Sequence, residues 1–268
     1  MRSLGLKPRV NYDALRLGYK LINDFTEAKL SSKKITFFTT GTVAKTFPEL
    51  LQEISNDGHE IACHYHYHDL MYKESNDEID RNLELAKSAI FEACGFEPKG
   101  FRAPVFSIPK ERIDIFRVIE KHFAYDSSFV LYLNKFSKKE YFENDPFTLD
   151  KLKEFPIVPK PFFSQRVSIK SGGTFLRLYT KEMMREVMIF NYEQGFVPLV
   201  YMHPYDYLEN KEFWVPLSDF IRSKKLSNLI KYPRQLQWTG LRNKTVFPKL
   251  EYILESFEHQ GPMSELLS

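Results

Sequence analysis

The sequence has few cysteines, no long apolar run and almost no net charge. Its 268 residues include only Cys63 and Cys94 as cysteines. Two thiols exclude a disulfide scaffold and favour reduced thiols in a cytoplasmic protein. No segment approaches the roughly 18 apolar residues of a membrane span, and residues 1–13 lack the apolar run of a signal peptide. We therefore expect a soluble, cytoplasmic chain.

The charge balance bears on the class of partner. The 38 basic and 35 acidic residues give a formal net charge of +3, so neither a nucleic-acid partner nor a membrane partner is indicated. The sequence is silent on oligomeric state, and a homo-oligomer stays open.

A hydrophobic content of 43% is enough for one large core. Strand-like runs alternate with helical patterns, which argues for a parallel sheet with helices outside it. The predicted fold class is α/β, as one domain over residues 1–268, with a barrel core at 11–205 and a C-terminal helical extension at 206–268. Predicted strands lie at 35–39, 60–63, 100–102, 123–126 and 196–202; predicted helices lie at 11–25, 46–58, 75–95, 110–121, 181–192 and 241–257.

Cap signals locate the starts of three helices. Asn11 has the side chain of an N-cap residue. Thr46 and Glu49 form a capping-box pattern with a proline in the first turn, and Ser75 and Glu78 form a second one. These patterns predict helices that begin at or just after Asn11, Thr46 and Ser75.

Three histidines in five residues directly follow the predicted strand at 60–63. They are His64, His66 and His68. Neutral imidazole is the commonest side-chain ligand of zinc, and α/β active sites form where strands end. His66 is a possible ligand, but i, i+4 spacing makes His64 and His68 the better pair. The alternative is a polar loop with incidental histidines.

Three other strand ends carry polar side chains. Arg102 precedes a proline, and its guanidinium can hold a carboxylate in a bidentate manner, although a surface ion pair is the plainer interpretation. His203 ends the run at 196–202, where a histidine is more often a hydrogen-bonded core residue. Asp126 ends the run at 123–126. Together these residues could supply an acid and its partner.

These segments resemble the motifs of the polysaccharide deacetylase family, also called carbohydrate esterase family four or the nodulation-deacetylase homology domain. HYHYH at 64–68 resembles its second motif, GFRAPVFS at 100–107 its third, YDSS at 125–128 its fourth and LVYMHPYD at 199–206 its fifth. SGGTFLR at 171–177 is similar to a segment of a branch found in exopolysaccharide loci.

The resemblance implies a distorted (β/α)7-type barrel that hydrolyses the N-acetyl group of an amino sugar in a glycan. It implies a divalent metal, most simply zinc, bound by His64 and His68. Arg102 would orient the catalytic base, and the Val105 backbone N–H would help to hold the oxyanion. His203 would be the general acid, tuned by Asp126.

One expected motif is absent. The family has an Asp-Asp pair at the end of a first strand, and residues 1–10 contain no acidic residue. A helix at 11–25 with an apolar face also needs a strand beside it, so we expect that one strand of the barrel is missing from the sequence pattern. We expect that adding such a strand, with its aspartate pair, would raise stability, because it would cover an exposed sheet edge.

Three hypotheses about the function follow from these observations. The first is an active deacetylase whose natural product begins further upstream. The second is a non-catalytic relative that binds glycan without turnover. The third is a histidine-loop protein that only sequesters or senses a metal.

Overall fold

A computed structural model describes residues 11–133, 143–163, 166–208, 213, 216–222, 232–233 and 240–267. The helices among them are α1 Tyr12–Lys29, α2 Gly41–Thr46, α3 Pro48–Asn56, α4 Asn76–Cys94, α5 Ile115–Ile119, α6 Thr174–Leu178, α7 Lys181–Glu193, α8 Pro204–Tyr207, α9 Leu217–Arg222 and α10 Val246–Leu254. The strands are β1 Thr36–Thr39, β2 Glu60–Cys63, β3 Gly100–Phe101, β4 Tyr125–Asp126, β5 Lys153–Glu154, β6 Lys160–Phe162 and β7 Val167–Ile169.

The central sheet is parallel, with the order β1-β2-β3-β4-β5. Cys63 of β2 pairs with Phe101 of β3, and Phe101 pairs in turn with Asp126 of β4. Parallel strands joined by crossovers end at one rim of the sheet. The residues that follow β2, β3 and β4 are therefore neighbours in space. The predicted α/β class with a parallel sheet is confirmed, while a closed barrel stays a prediction.

The helix caps act largely as the sequence predicts. The Asn11 side chain accepts a hydrogen bond from Ala14 N–H at the start of α1. Ser75 and Glu78 form the complete capping box of α4. Gly95 ends that helix with φ 78°, a left-handed conformation that glycine adopts without steric cost. None of the described helices is long and apolar enough to cross a membrane.

Two sequence predictions differ from the structure. Thr46 does not cap a helix, because it is the last residue of α2 and its hydroxyl donates to Thr42 O over 2.6 Å. Phe47 is the N-cap residue of α3, and Pro48 starts the helix without a side-chain cap bond. The single helix predicted at 110–121 is a 3₁₀ turn at Lys110–Arg112 followed by the short α5.

The predicted strand at 196–202 is not part of a ladder in the structure. Its described pairing is one parallel bridge, between Tyr201 and Gly172. All seven residues line a cavity of about 1560 Å³, whose opposite wall includes residues 35–40. The segment is apolar, but within the described residues no strand lies beside it on the cavity side. A strand needs a pairing partner, so β propensity alone does not make this segment a strand.

β1 forms the opposite edge of this cavity. Glu60 N–H donates to Ile35 O, and His64 N–H donates to Thr39 O. Alternate residues of a parallel strand bond to the same neighbour, so the backbone groups of Thr36 and Phe38 are directed away from β2. The cavity is therefore lined both by β1, at the edge of the described sheet, and by an extended apolar segment.

The C-terminal 3₁₀ helix Met263–Leu267 packs against the end of the sheet where β1 and β2 begin. Met263 N–H donates to the Thr36 hydroxyl over 2.8 Å, and Ser264 N–H donates to the Glu60 carboxylate over 3.1 Å. Thr36 and Glu60 are the first residues of β1 and β2. The cavity is thus closed at the amino ends of the strands, and the candidate site lies at the carboxyl ends.

We expect that replacing residues 1–10 with an apolar β-strand ending in Asp-Asp, followed by a short turn, raises the melting temperature. A strand in the cavity would pair with β1 and bury apolar surface. We expect a rise of about 5 °C or more, since each kcal/mol is worth about 2–4 °C in a chain of this size. Circular dichroism melting measures this, with a Gly/Ser segment of equal length as control. Equal melting temperatures for the two chains would contradict the prediction.

Candidate active site

The candidate site lies at the rim where the parallel strands end. His64 follows β2, Arg102 follows β3, and His203 follows the extended segment at 196–202. His64, His68, Arg102 and His203 all line the cavity. The structure therefore brings together four of the residues that the sequence singles out.

The histidine loop turns through two residues in left-handed backbone conformations. Tyr65 has φ 67° and His68 has φ 62°, which is uncommon for residues with a side chain and concentrates at functional sites. The turn brings the ring centroids of His64 and His68 to 5.0 Å. His66 is buried and its ring lies against Gly41, where an added Cβ would come 2.3 Å from Nδ1. The i, i+4 pair is therefore the one that faces the cavity.

The orientation of His64 is fixed by the neighbouring strand. Its Nδ1 lies 2.7 Å from Arg102 O. A carbonyl can only accept, so Nδ1 carries the proton and Nε2 keeps its lone pair. Burial, followed by repulsion from His68, lowers the pKa of His64 well below its usual value. Burial is also the main cause that lowers the pKa of His68. Both rings are thus held in the neutral form that binds metals.

The Arg102 side chain contacts residues at the ends of neighbouring strands. Its Nε and Nη2 donate to Ser127 O over 3.2 Å and to Ser127 Oγ over 2.8 Å. The guanidinium carbon lies 4.2 Å from the centroid of the Phe38 ring, a cation–π arrangement. Burial lowers the pKa of Arg102 to about 10, so the side chain still carries its charge at neutral pH. Its predicted role, orientation of a catalytic base, stays a prediction.

His203 is held by a buried ion pair. Its Nδ1 lies 2.9 Å from Asp206 Oδ2, and its backbone N–H donates to the same oxygen over 2.8 Å. The other oxygen, Oδ1, accepts from Arg177 Nε over 2.8 Å. The side chains of Arg177 and Asp206 are fully buried, whereas His203 is 41% exposed. These contacts hold the His203 ring in place, with its Nε2 directed away from Asp206.

Asp126 is fully buried. Its carboxylate accepts hydrogen bonds from the Ser128 backbone N–H and hydroxyl, both over 2.7 Å. It is paired in register with Glu154, and burial, with repulsion from Asp126, raises the pKa of Glu154 well above its usual value. The carboxylate that contacts His203 is Asp206, because the tight turn after His203 forms a capping box. The predicted part of Asp126 in tuning His203 stays a prediction.

Val105 lies in the loop that follows Arg102. It has φ 58°, the next residue Phe106 has φ 53°, and the Val105 side chain is 67% exposed. Residues with positive φ thus occur in both loops that frame the cavity mouth. The predicted part of its backbone N–H in holding an oxyanion stays a prediction.

Comparisons with known proteins show which family part of this chain resembles. Residues 28–121 match the family model described as polysaccharide deacetylase. The chain thus resembles the polysaccharide deacetylase family over these residues. The matched range runs from the last two residues of α1 to beyond α5, contains β1 to β3, and so includes His64, His68 and Arg102.

Two curated relatives show the extent of the likeness. A peptidoglycan deacetylase-like protein of Gibberella zeae is 32% identical over 123 residues, which is 44% of this chain and 33% of that protein. A peptidoglycan-N-acetylglucosamine deacetylase of Bacillus cereus is 29% identical over 85 residues, which is 32% of this chain and 31% of that protein. The matches thus span about a third of the length of each relative.

One solved structure is similar over most of the chain. It is a carbohydrate esterase family four pseudoenzyme from Bacillus anthracis, with a TM-score of 0.49 and 14% identity. The match covers 95% of this chain and 62% of that one.

The histidine pair fits a zinc-type ion in donor type and in tautomer. Both imidazoles are neutral, and His64 keeps Nε2 as a lone-pair donor. Catalytic zinc usually takes three protein ligands. Over the described ranges, no group of three or more His, Cys, Asp or Glu side chains is placed to hold a metal. The described residues thus offer His64 and His68 as two candidate ligands, and their binding of a metal stays a prediction.

Sequence reasoning gave Asp206 and Arg177 no catalytic role. Asp206 lies three residues after His203, a spacing that signals a capping contact. Arg177 is 29 positions away from Asp206 in the chain, and no local pattern connects them.

Arg177→Met is expected to lower the free energy of unfolding by about 3–5 kcal/mol, because it leaves the buried Asp206 carboxylate without its cation. The control is Arg16→Met, which breaks the exposed pair with Glu53 and should cost less than about 1 kcal/mol. Urea unfolding measures both. A similar small loss for the two variants would show that the buried pair is not needed for stability.

Proposed function

We propose that this chain hydrolyses the N-acetyl group of an amino sugar within an oligo- or polysaccharide, in a metal-dependent reaction. The observation that carries the proposal is the convergence of His64, His68 and His203 on one cavity rim beside Arg102. The names of the two curated relatives support an N-acetylated glycan as the substrate class.

His203 is the proposed general acid. Its Nδ1 hydrogen is held by Asp206, so Nε2 is the atom that would give a proton to the departing amine. A positioned proton donor of this type contributes about 10²–10⁴-fold to a rate. The buried Arg177 holds the Asp206 carboxylate in place, which in turn keeps the His203 ring in one orientation.

His64 and His68 are the proposed metal ligands. A divalent ion, with zinc as the simplest choice for imidazole donors, would polarise the acetamide carbonyl and lower the pKa of bound water. The Val105 backbone N–H is the proposed donor to the developing oxyanion. The resemblance of SGGTFLR suggests an exopolysaccharide as the glycan, and the cytoplasm as the location stays a prediction.

A glycan-binding role without turnover is the second candidate. The two-imidazole donor set within the described residues favours it, since two imidazoles without a carboxylate should hold a metal weakly. The aromatic rings at the mouth would serve binding in either case. Tyr205 stacks on His203 with centroids 4.6 Å apart, and Tyr201 packs against Phe106 at 5.1 Å.

His203→Ala is expected to lower kcat/KM for acetate release from N-acetylated chitooligosaccharides by at least about 10²-fold, because it removes the proton donor. His122→Gln is the matched control, since His122 contacts Asp80 far from the cavity. Acetate is measured by an enzyme-coupled assay with zinc present. Binding of the oligosaccharide without any acetate release by the unmodified chain would favour the second candidate.

His64→Ala and His68→Ala are each expected to abolish zinc binding measured by calorimetry, because either change leaves one imidazole. His122→Gln should bind zinc as the unmodified chain does. Retained zinc binding in both alanine variants would remove the metal site from the proposal. Lost zinc binding with unchanged oligosaccharide binding would show that the metal is not needed to hold the glycan.

A further inference from the structure

The charged side chains around the cavity mouth are positive. Among the described residues that line the cavity, the two permanent cations are Arg102 and Lys170, and both lie at the rim with the histidines. The carboxylate that lines the cavity is Glu258. It lies next to His259, whose Nδ1 is 2.9 Å from the Ser32 hydroxyl near the amino end of β1. The mouth thus carries positive charge without a lining carboxylate from the described residues.

Lys170 directly follows β7 and is partly buried beside the site. Its Nζ lies 5.2 Å from the centroid of the Phe106 ring. The Arg102 guanidinium carbon lies 5.9 Å from the same ring. Both cations therefore lie near the same aromatic ring of the cavity mouth. No carboxylate within the described residues forms an ion pair with either cation.

Both cations keep unused hydrogen-bond donors. Arg102 gives two of its five N–H groups to Ser127. Lys170 has three N–H donors, and its contact with the face of an aromatic ring is only a weak substitute for hydrogen bonds. Burial lowers the pKa of Lys170, the direction expected for an ammonium that lacks an anionic partner. A carboxylate at this position would offset the cost of desolvating both charges.

We propose, as a consequence of the proposed function, that the cleft binds an acidic glycan, in which a sugar carboxylate pairs with Lys170 next to the N-acetylated sugar. The substrate class is therefore an N-acetylated polymer that also contains uronic-acid-type residues.

Two tetrasaccharides that share an N-acetylated sugar test this inference by calorimetry. Hyaluronan tetrasaccharide alternates N-acetylglucosamine with a carboxylate-bearing sugar, and chitotetraose has no carboxylate. The unmodified chain is expected to bind the acidic ligand about tenfold more tightly, and this ratio should decline as salt is added.

Three variants of the chain locate the effect. Lys170→Gln is expected to reduce the acidic-over-neutral ratio to about one, and Lys170→Arg should keep most of it because the charge remains. Lys181→Gln is the matched control, since Lys181 lies over the Tyr252 ring at 4.2 Å, away from the cavity lining, and it should keep the full ratio. Circular dichroism spectra establish that each variant is folded.

Equal binding of the two ligands by the unmodified chain would overturn the inference. So would a ratio that survives in a folded Lys170→Gln variant. Acetate release, assayed separately, distinguishes this failure from failure of the proposed function. A preference for the acidic ligand without acetate release would support the inference and count against deacetylation. Release from chitotetraose with no preference in binding would do the reverse.

Discussion

The hydrogen bond between His64 Nδ1 and Arg102 O links the first two motifs of the site. It exists because Cys63 and Phe101 are paired in a parallel ladder, so the residues that follow them meet at the rim. Arg102 N–H donates to Cys63 O over 2.9 Å, and the Arg102 carbonyl then accepts from the imidazole. One backbone unit thereby sets the His64 tautomer and carries the guanidinium. A shift of one residue in this register would separate the two groups.

A second constraint supports the opposite side of the cavity. Arg177 and Asp206 are both removed from water, and each removes the cost of leaving the other charged and unpaired. Asp206 also contacts the His203 backbone and ring. The ion pair therefore connects the exposed His203 imidazole to Arg177 in α6 and holds the ring in place. The two sides of the site are therefore held in place by different interactions. One side depends on a parallel β-ladder, and the other depends on a buried ion pair.

Much of this arrangement was accessible from local patterns. The strand at 60–63 ends as predicted and is followed by the histidine pair, and the Ser75 capping box forms as predicted. Local patterns failed where a neighbour in space decides the outcome. Thr46 had the residue type of a cap but became the end of α2, and the apolar run at 196–202 had strand propensity but only one bridging partner.

The sequence by itself determined the end of the strand at 60–63, the caps at Asn11 and Ser75 and the residue types at the candidate site, because each depends on residues a few positions apart. The tertiary structure alone decided which carboxylate contacts His203, how Met263–Leu267 packs at one end of the sheet, and that Lys170 and Arg102 lie near one ring. These contacts join residues distant in the chain, and packing and burial fix their distances, which no local period encodes.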